Sequence, residues 1–316
     1  MPGTRQKHPI ERGQVADIQR ARMLGAMVQE ISERGAANVA VAHIVGRSGV
    51  SRRTFYEIFE DREDCFLAAF DEALGRVAAV VVPAYEQAGT WRSQVRAALT
   101  ALLEVLAADP ATGRLLIVES LAAGPVARER RRQAILQIVA AVDRGREEGQ
   151  VGADPPPLTA EGIVGGVLSV LHTRLAEESP DNPLDLIGPL MGMIVLPYLG
   201  PAAARQELER PSPKRARKTP VAHRDPLRDL EMRLTYRTVR TLIAVAEQPG
   251  SSNRAVGAHA GIPDQGQVSK LLARLHNLGL IENTAPPTAR GEPNAWTLTT
   301  RGWEIHGAIA QQTAGA

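Results

Sequence analysis

The chain has 316 residues, which predicts two or three domains, and its formal net charge is only +2 at pH 7. A chain this close to neutral can bind nucleic acid only through a local basic surface. Its single cysteine, Cys65, excludes an intramolecular disulfide framework and a cysteine-based zinc cluster.

The first residues are polar and basic. Residues 1–16 carry Arg5, Lys7, His8 and Arg12 without hydrophobic periodicity, so we predict a basic flexible arm there. Such an arm is either a frayed terminus or a segment that lies along DNA phosphates or in a minor groove. This start does not resemble a signal peptide, and we expect no apolar run that approaches the about eighteen residues of a membrane span. The expectation is a cytoplasmic protein.

The segment from Val41 to Phe59 has the pattern of two short helices joined by a tight turn. Apolar residues at i, i+3 and i+4 predict the first helix, and Gly49 suits the left-handed conformation that ends helices. Ser51 is a good N-cap for the second helix, because its hydroxyl can accept a hydrogen bond from a free backbone N–H. Four donors then follow at the front of that helix: Arg52, Arg53, Thr54 and Tyr56. This arrangement predicts a helix-turn-helix that enters a DNA major groove.

Residues 17–64 resemble the N-terminal DNA-binding domain of the tetracycline-repressor (TetR) family. The resemblance rests on a first helix that ends at Gly35, on the helix pair and on the phrase GVSRRTFYEIFEDRED. It implies that Ser51, Arg52, Arg53, Thr54, Tyr56 and Arg62 form a DNA-binding surface. Thr54, Tyr56 and Arg62 match family positions that reach phosphate oxygens.

Two positions near the groove depart from the family pattern or vary within it. Arg53 replaces a frequent small residue, and Ile58 replaces a frequent histidine. An arginine can pair with guanine O6 and N7, so Arg52 or Arg53 can read a base, yet the operator sequence stays unpredictable. Phe55 and Phe59 are expected in the core rather than stacked on bases.

Residues 65–199 are predicted to form an all-helical domain. The resemblance implies that this domain dimerises and holds a ligand, and its Leu, Val and Ala content predicts a small apolar effector. Several polar or aromatic residues lie on otherwise apolar helices and fit structural roles better than ligand contacts: Tyr85, Trp91, Arg114, Glu119 and His172. Cys65 likewise fits a buried small hydrophobe better than a reactive thiol.

The last two helical patterns of this domain cover residues 159–178 and 184–199. They are apolar on most faces, and such helices must be covered on more than one side. In the TetR family the corresponding helices form a four-helix bundle across a two-fold axis. The resemblance therefore implies a homodimer through these helices, with two reading heads spaced for a pseudo-palindromic operator.

Residues 200–225 are rich in proline, lysine and arginine. Such a composition cannot bury enough apolar area to order itself, so we predict a basic Pro-rich linker. Either the linker is a solvated tether, or it contacts DNA without sequence preference.

Residues 226–312 are predicted to form a separate domain with the order helix, helix-turn-helix, two short strands and a last helix. The phrases VSKLLARLHNLGLIEN and WTLTTRG resemble winged-helix domains of the MarR class. The resemblance implies a second DNA-reading surface: Gln265, Gln267, Ser269, Lys270, Arg274 and, at the wing tip, Arg290. Winged helices also serve in protein interaction or dimerisation, so this alternative stays open.

Together these features predict a mostly α-helical transcriptional regulator, homodimeric and DNA-binding, that acts as a repressor and is released by an apolar effector. The rival hypothesis is an interaction scaffold whose winged helix binds a protein. The sequence contains no metal-spaced histidine set, glycine-rich phosphate loop or nucleophile-base pair. We therefore predict no enzymatic activity, cofactor or metal.

Overall fold

The computed structural model describes residues 12–148, 155–177, 182–211, 236–285 and 293–314. The predicted arm up to residue 11, most of the predicted linker and the wing tip with Arg290 lie outside these residues. The chain divides into two compact units. The first comprises Met1–Ala26, Val41–Glu60 and His223–Ala316, and the second, called the body below, comprises Met27–Ala40 and Asp61–Ala222.

The described residues are mostly helical, as predicted. The α-helices are α1 (Arg12–Arg34), α2 (Val41–Ser48), α3 (Arg52–Ile58), α4 (Arg62–Glu86), α5 (Trp91–Ala108), α6 (Pro110–Gly113), α7 (Pro125–Asp143), α8 (Gly145–Glu148), α9 (Thr159–Ala176), α10 (Ile187–Glu209), α11 (Tyr236–Glu247), α12 (Asn253–Ala260), α13 (Gln265–Asn277) and α14 (Thr300–Ala314). Shorter pieces are the 3₁₀ turns Ala36–Asn38, Glu119–Leu121 and Pro183–Leu186 and the π-helical turn Arg114–Val118. Two strands, β1 (Ile281–Asn283) and β2 (Trp296–Leu298), pair antiparallel with Ile281 opposite Leu298.

The body is built around α5 and α10, which share one buried cluster with α9. Helix starts in the body are fixed by side chains: Asp61 accepts from the N–H of Asp64, and Thr90 accepts from the N–H of Ser93. Trp91 packs edge-on against Tyr198 with ring centroids 5.1 Å apart. Burial, reinforced by the nearby Asp143 carboxylate, raises the pKa of Tyr198 to about 12.

Helix α10 corrects the expectation that no apolar run is long enough to span a membrane. Pro183–Glu209 is 27 residues long with a mean hydropathy of 1.6 in its most apolar part, which suffices by length and composition. In the structure this helix supplies core residues of the body, including the fully buried Met191 and Val195. One such helix is weak evidence for a membrane span, because a core helix has the same composition.

The chain turns back on itself within α10, at Gly200, and stays helical to Glu209. The linker predicted to begin at residue 200 is therefore shorter than expected. Gly200 leaves helical geometry, with a φ of 79° and a ψ of 178°. The following turns lie against the first part of α10, where a Cβ on Gly188 would come within 3.2 Å of the Glu207 carbonyl oxygen. Glu207 is fully buried and accepts hydrogen bonds from Arg92 at 2.5 Å and from Arg96. Residues 201–209 are therefore part of the helical body, although composition placed them in the linker.

The C-terminal residues have the predicted element order. Gly261 ends α12 in the left-handed conformation, with a φ of 68°, and Asp264 caps α13 by accepting from the N–H groups of Gly266 and Gln267. The buried residues of α11, α12, α13, the two strands and α14 form one cluster, which also includes Ile18 of α1. This architecture is a helix-turn-helix followed by a two-stranded wing base.

Candidate nucleic-acid interface

The turn between α2 and α3 is built by glycine and a serine cap. Gly49 has a φ of 65°, which an L side chain rarely adopts. The Ser51 hydroxyl accepts from the backbone N–H of Thr54 at 3.1 Å, and its oxygen lies 2.8 Å from the Thr54 hydroxyl. Helix α3 therefore starts at a defined residue, and two of the predicted DNA-binding side chains, Ser51 and Thr54, are joined to each other.

Two phenylalanines attach α3 to its own unit. Phe55 is completely buried and Phe59 is 3% exposed, and their rings lie 5.5 Å apart. The guanidinium of Arg20, on α1, lies 5.8 Å from the centre of the Phe59 ring. These contacts assign both phenylalanines to the core, as expected from the sequence.

The opposite side of α3 presents donors to solvent. Arg52 and Arg53 are exposed, and Tyr56 is 52% exposed while its ring meets Phe55 edge-on. Arg53 donates to Glu57 at 2.8 Å, but both side chains are largely exposed, so this pair is weak and open to exchange for a phosphate or a base. A local basic surface on a near-neutral chain is thus present at the front of α3.

Arg62 belongs to the body and has a partner there. Its Nη1 donates to the carbonyl oxygen of Ala36 at 2.6 Å, and the side chain is half-buried. One end of the guanidinium therefore holds the backbone between α1 and α2. The predicted contact of Arg62 with a phosphate remains a prediction that depends on its other N–H groups.

The same backbone residue is held a second time, by a carboxylate that sequence reasoning assigned only a general structural role. Glu119 accepts from the N–H of Ala36 at 2.8 Å, next to Gly35 with its φ of 77°. Together, Glu119 and Arg62 bind both polar groups of Ala36, an arrangement called the Ala36 clasp below. Glu119 directly follows the π-helical turn Arg114–Val118, and π turns are frequent at functional sites.

Other polar candidates of the body have structural partners. Trp91 donates its indole N–H to the Ala141 carbonyl at 3.0 Å, and Arg114 donates to the Leu175 carbonyl at 2.9 Å. Cys65 is fully buried. Within the described ranges no cluster of His, Cys, Asp and Glu could hold a metal ion. A small, shallow pocket lies beside the clasp and is lined by Ala36, Ala37, Arg62, Glu63, Phe66, Ala122 and Ala123.

Helix α13 presents all five predicted residues that the structure describes: Gln265, Gln267, Ser269, Lys270 and Arg274 are exposed. Two of them already have partners within the domain. Arg237 donates to Gln267 at 2.7 Å, and Asn253 donates to Ser269 at 3.1 Å.

Sequence reasoning missed Asn253, whose amide connects several elements. Its carbonyl oxygen accepts from the Trp296 indole at 2.7 Å and from Asn294 at 3.1 Å, while its amide nitrogen reaches Ser269. Asn253 therefore joins the wing base to α13. No pattern in the sequence points to it, because its partners lie 16 to 43 residues away.

Comparison with known proteins places the N-terminal part of the chain in a family. Residues 24–69 match the family described as bacterial regulatory proteins, tetR family. No curated protein matches the chain in sequence. The matched region contains α2, α3 and the start of α4, so the chain carries a TetR-family helix-turn-helix domain.

Several solved structures that are similar to this chain are described as transcription regulators. The fatty acid degradation regulator FadR from Bacillus halodurans is 19% identical with a TM-score of 0.50, and covers 55% of this chain and 97% of its own. FadR from Bacillus subtilis, solved in complex with stearoyl-CoA, is 18% identical with the same TM-score and coverage. A TetR family regulator from Marinobacter aquaeolei VT8 is 23% identical with a TM-score of 0.48, and covers 58% of this chain and 96% of its own. At these identities the likeness to the two FadR structures shows the fold alone.

The Ala36 clasp makes a testable prediction. Replacing Glu119 by Ala leaves the Ala36 N–H without its charged acceptor and should lower the free energy of unfolding by about 2 kcal/mol. Amide hydrogen exchange should accelerate at Ala36, whereas Glu119→Gln, which keeps an acceptor oxygen, should restore part of the protection. Glu129→Ala removes a solvent-exposed carboxylate and serves as the control. Unchanged exchange at Ala36 in Glu119→Ala would show that the clasp does not form in solution.

Proposed function

We propose that this chain, which carries a TetR-family helix-turn-helix domain, is a homodimeric, DNA-binding transcriptional repressor that does not act as an enzyme. The observation that supports the proposal most strongly is the front of α3. There a capped helix with a buried Phe55 presents the exposed Arg52, Arg53 and Tyr56 on one side. Helices that enter a major groove contact bases with residues at their N-terminal end.

A homodimer is supported by the surface of α9 and α10. Gly162, Gly165 and Ser169 form an exposed stripe of small residues on α9, with no atom within 4 Å of a Cβ built on either glycine. Met193 of α10 lies beside this stripe, since its methyl group is 3.6 Å from a Cβ built on Gly166. Much of α10 is already covered by its own chain, so the proposed dimer contact is narrower than the sequence predicted. It is made mainly by α9, because small residues there let a second copy approach closely.

A small apolar effector is supported by composition and by fold. The body core is mainly aliphatic, apart from Trp91 and Tyr198, and FadR from Bacillus subtilis, which shares the fold, was solved with stearoyl-CoA. An effector that binds one conformation of the body better than another shifts the protein toward that conformation. Release of DNA by such a ligand is the mechanism we propose for a repressor in the cytoplasm.

The C-terminal winged helix is proposed as a second DNA reader. Lys270 and Arg274 are exposed one turn apart on α13, and Gln265 is exposed at its first residue. Asn253 fixes the wing base against α13, which gives the surface a rigid support. The alternative, a protein-interaction or dimerisation module, uses the same exposed face with a different partner.

Charge reversal at the front of α3 tests the main proposal. In Arg52→Glu with Arg53→Glu, affinity for a duplex selected from a random library by the wild-type protein should fall at least about a hundredfold, because attraction to phosphates becomes repulsion. The control, Arg128→Glu with Arg132→Glu, makes the same charge change on exposed positions of α7. Equal binding by the two variants in an electrophoretic mobility or anisotropy assay would contradict the proposal.

Replacing the two cations of α13 distinguishes DNA reading by the winged helix from the protein-interaction alternative. Lys270→Ala with Arg274→Ala should shorten the nuclease footprint and lower affinity about tenfold, and should reduce the slope of log K against log salt by about two. Arg128→Ala with Arg132→Ala is the charge-matched control. A footprint and salt slope equal to wild type would favour the protein-interaction alternative.

A further inference from the structure

The first half of α1 carries a buried isoleucine on the face turned away from the other core residues of this helix. Met23, Met27 and Ile31 follow Ile18 by five, nine and thirteen residues. At about 100° per residue, they lie between about 140° and about 180° around the helix axis from Ile18. A helix covered only on the side of those three residues would leave Ile18 in solvent. Ile18 is nevertheless 0% exposed, and Arg22, one turn further along the same face, is 5% exposed.

The residues that share a core with Ile18 come from the other end of the chain. Ile18 belongs to the buried cluster formed by α11, α12, α13, the two strands and α14, which includes Val239 and Val245 of α11. The first part of α1, helices α2 and α3 and the C-terminal residues also fall in the same compact unit. The C-terminal helix-turn-helix therefore shares a core with the helix that precedes α2.

Helix α11 connects this shared core to the exposed face of α13. Its Val239 and Val245 are completely buried, whereas Arg237 at its start is exposed and donates to Gln267 of α13 at 2.7 Å. Closely packed helices keep a defined position relative to one another. The front of α13 is thus held, through α11, at a defined position relative to Ile18.

The surface around α13 is basic. Four cations are exposed on α11, α12 and α13: Arg237, Arg254, Lys270 and Arg274. Helix α13 itself contains no carboxylate. The two acidic residues of the stretch from α11 to α13 are both engaged, since Asp264 caps α13 and Glu247 pairs with His259. Duplex DNA is the partner that fits such a surface, because each cation placed on a phosphate releases condensed counter-ions.

We infer that α3 and α13 of one chain form a composite reading head, fixed together through Ile18, that occupies one continuous stretch of duplex DNA. The inference rests on the proposed function for DNA as the partner, but not for the shared core. A fixed second helix adds affinity without the entropy cost of ordering a tethered domain, provided that the two contacted segments of DNA have the spacing that the protein sets. A tethered reader, by contrast, tolerates changes in that spacing.

Amide hydrogen exchange of the full-length chain without DNA tests the shared core. Ile18→Ala should accelerate exchange in α11 about tenfold, because the cavity left by the shorter side chain weakens the packing of α11 as well as that of α1. The matched control is Ile31→Ala, which makes the same deletion at a fully buried position of α1 that belongs to the body. This control should leave exchange in α11 as in the wild type.

Val239→Ala is the reciprocal variant and keeps the test decisive if Ile18→Ala does not fold. It should accelerate exchange around Ile18 in α1, because the two side chains lie in one cluster. Exchange in α11 that is the same in Ile18→Ala as in the wild type, or exchange around Ile18 that Val239→Ala leaves unchanged, would overturn the inference.

The spacing of the DNA tests the composite head. On a duplex selected by the full-length protein, the footprint lost in Lys270→Ala with Arg274→Ala marks the base pairs that α13 protects. Inserting about five or about ten base pairs between that segment and the rest of the site should lower affinity about tenfold, to the level of the double variant, because a fixed head can follow neither displacement. The same insertions outside the protected region are the control and should have no effect. Ile18→Asp, which separates the C-terminal helix-turn-helix from α1, should bind the interrupted and uninterrupted sites equally.

The outcomes of the two tests are distinguishable. Wild-type affinity that the insertion of about ten base pairs leaves unchanged would show a tethered reader and would overturn the inference. A footprint that the double variant leaves unchanged would assign the C-terminal surface to a protein partner and would also overturn it. Accelerated exchange in α11 of Ile18→Ala without any DNA binding by the wild type would remove the proposed function and the composite head together, and would leave only the shared core.

Discussion

The structure depends on how a seven-residue helix is held in place. A helix as short as α3 is unstable on its own in water, because nucleation costs more than so few backbone hydrogen bonds return. The Ser51 cap stabilises its first turn, and the buried Phe55 and Phe59 attach it to the unit that contains it. Only with the helix fixed in this way do exposed arginines become a surface of defined geometry.

The body uses two carboxylates, the fully buried Glu207 and the half-buried Glu119, to fix the position of the chain. Glu207 is fully buried, and Arg92 and Arg96 neutralise it where the chain folds back after Gly200. Glu119 holds the Ala36 N–H, five residues before α2 begins. A buried charge is tolerated only when it is paired, so each of these carboxylates ties a distant segment to a defined place.

Sequence reasoning predicted the caps, turns and helices that depend on neighbouring residues. It missed the side-chain pairings that join residues far apart in the chain. The Ser51 cap, the Gly49 turn, the buried phenylalanines and the element order of the C-terminal residues follow from local patterns and agree with the structure. The pairing of Glu207 crosses more than 110 residues, and that of Glu119 crosses 83, so neither has a periodic signal. Composition placed residues 201–209 in the linker because burial of Glu207 cannot be read from a Pro-rich and basic segment.

The most direct test of the account is selection of duplexes from a random-sequence library by the full-length protein. A homodimer with two copies of α3 should enrich a pseudo-palindrome whose half-site centres lie about one helical turn, 34–36 Å, apart. Inserting about half a turn of DNA between the half-sites should then abolish tight binding, because the second head would face the opposite side of the duplex. Enrichment of a single unrepeated site, or of no sequence at all, would contradict the account.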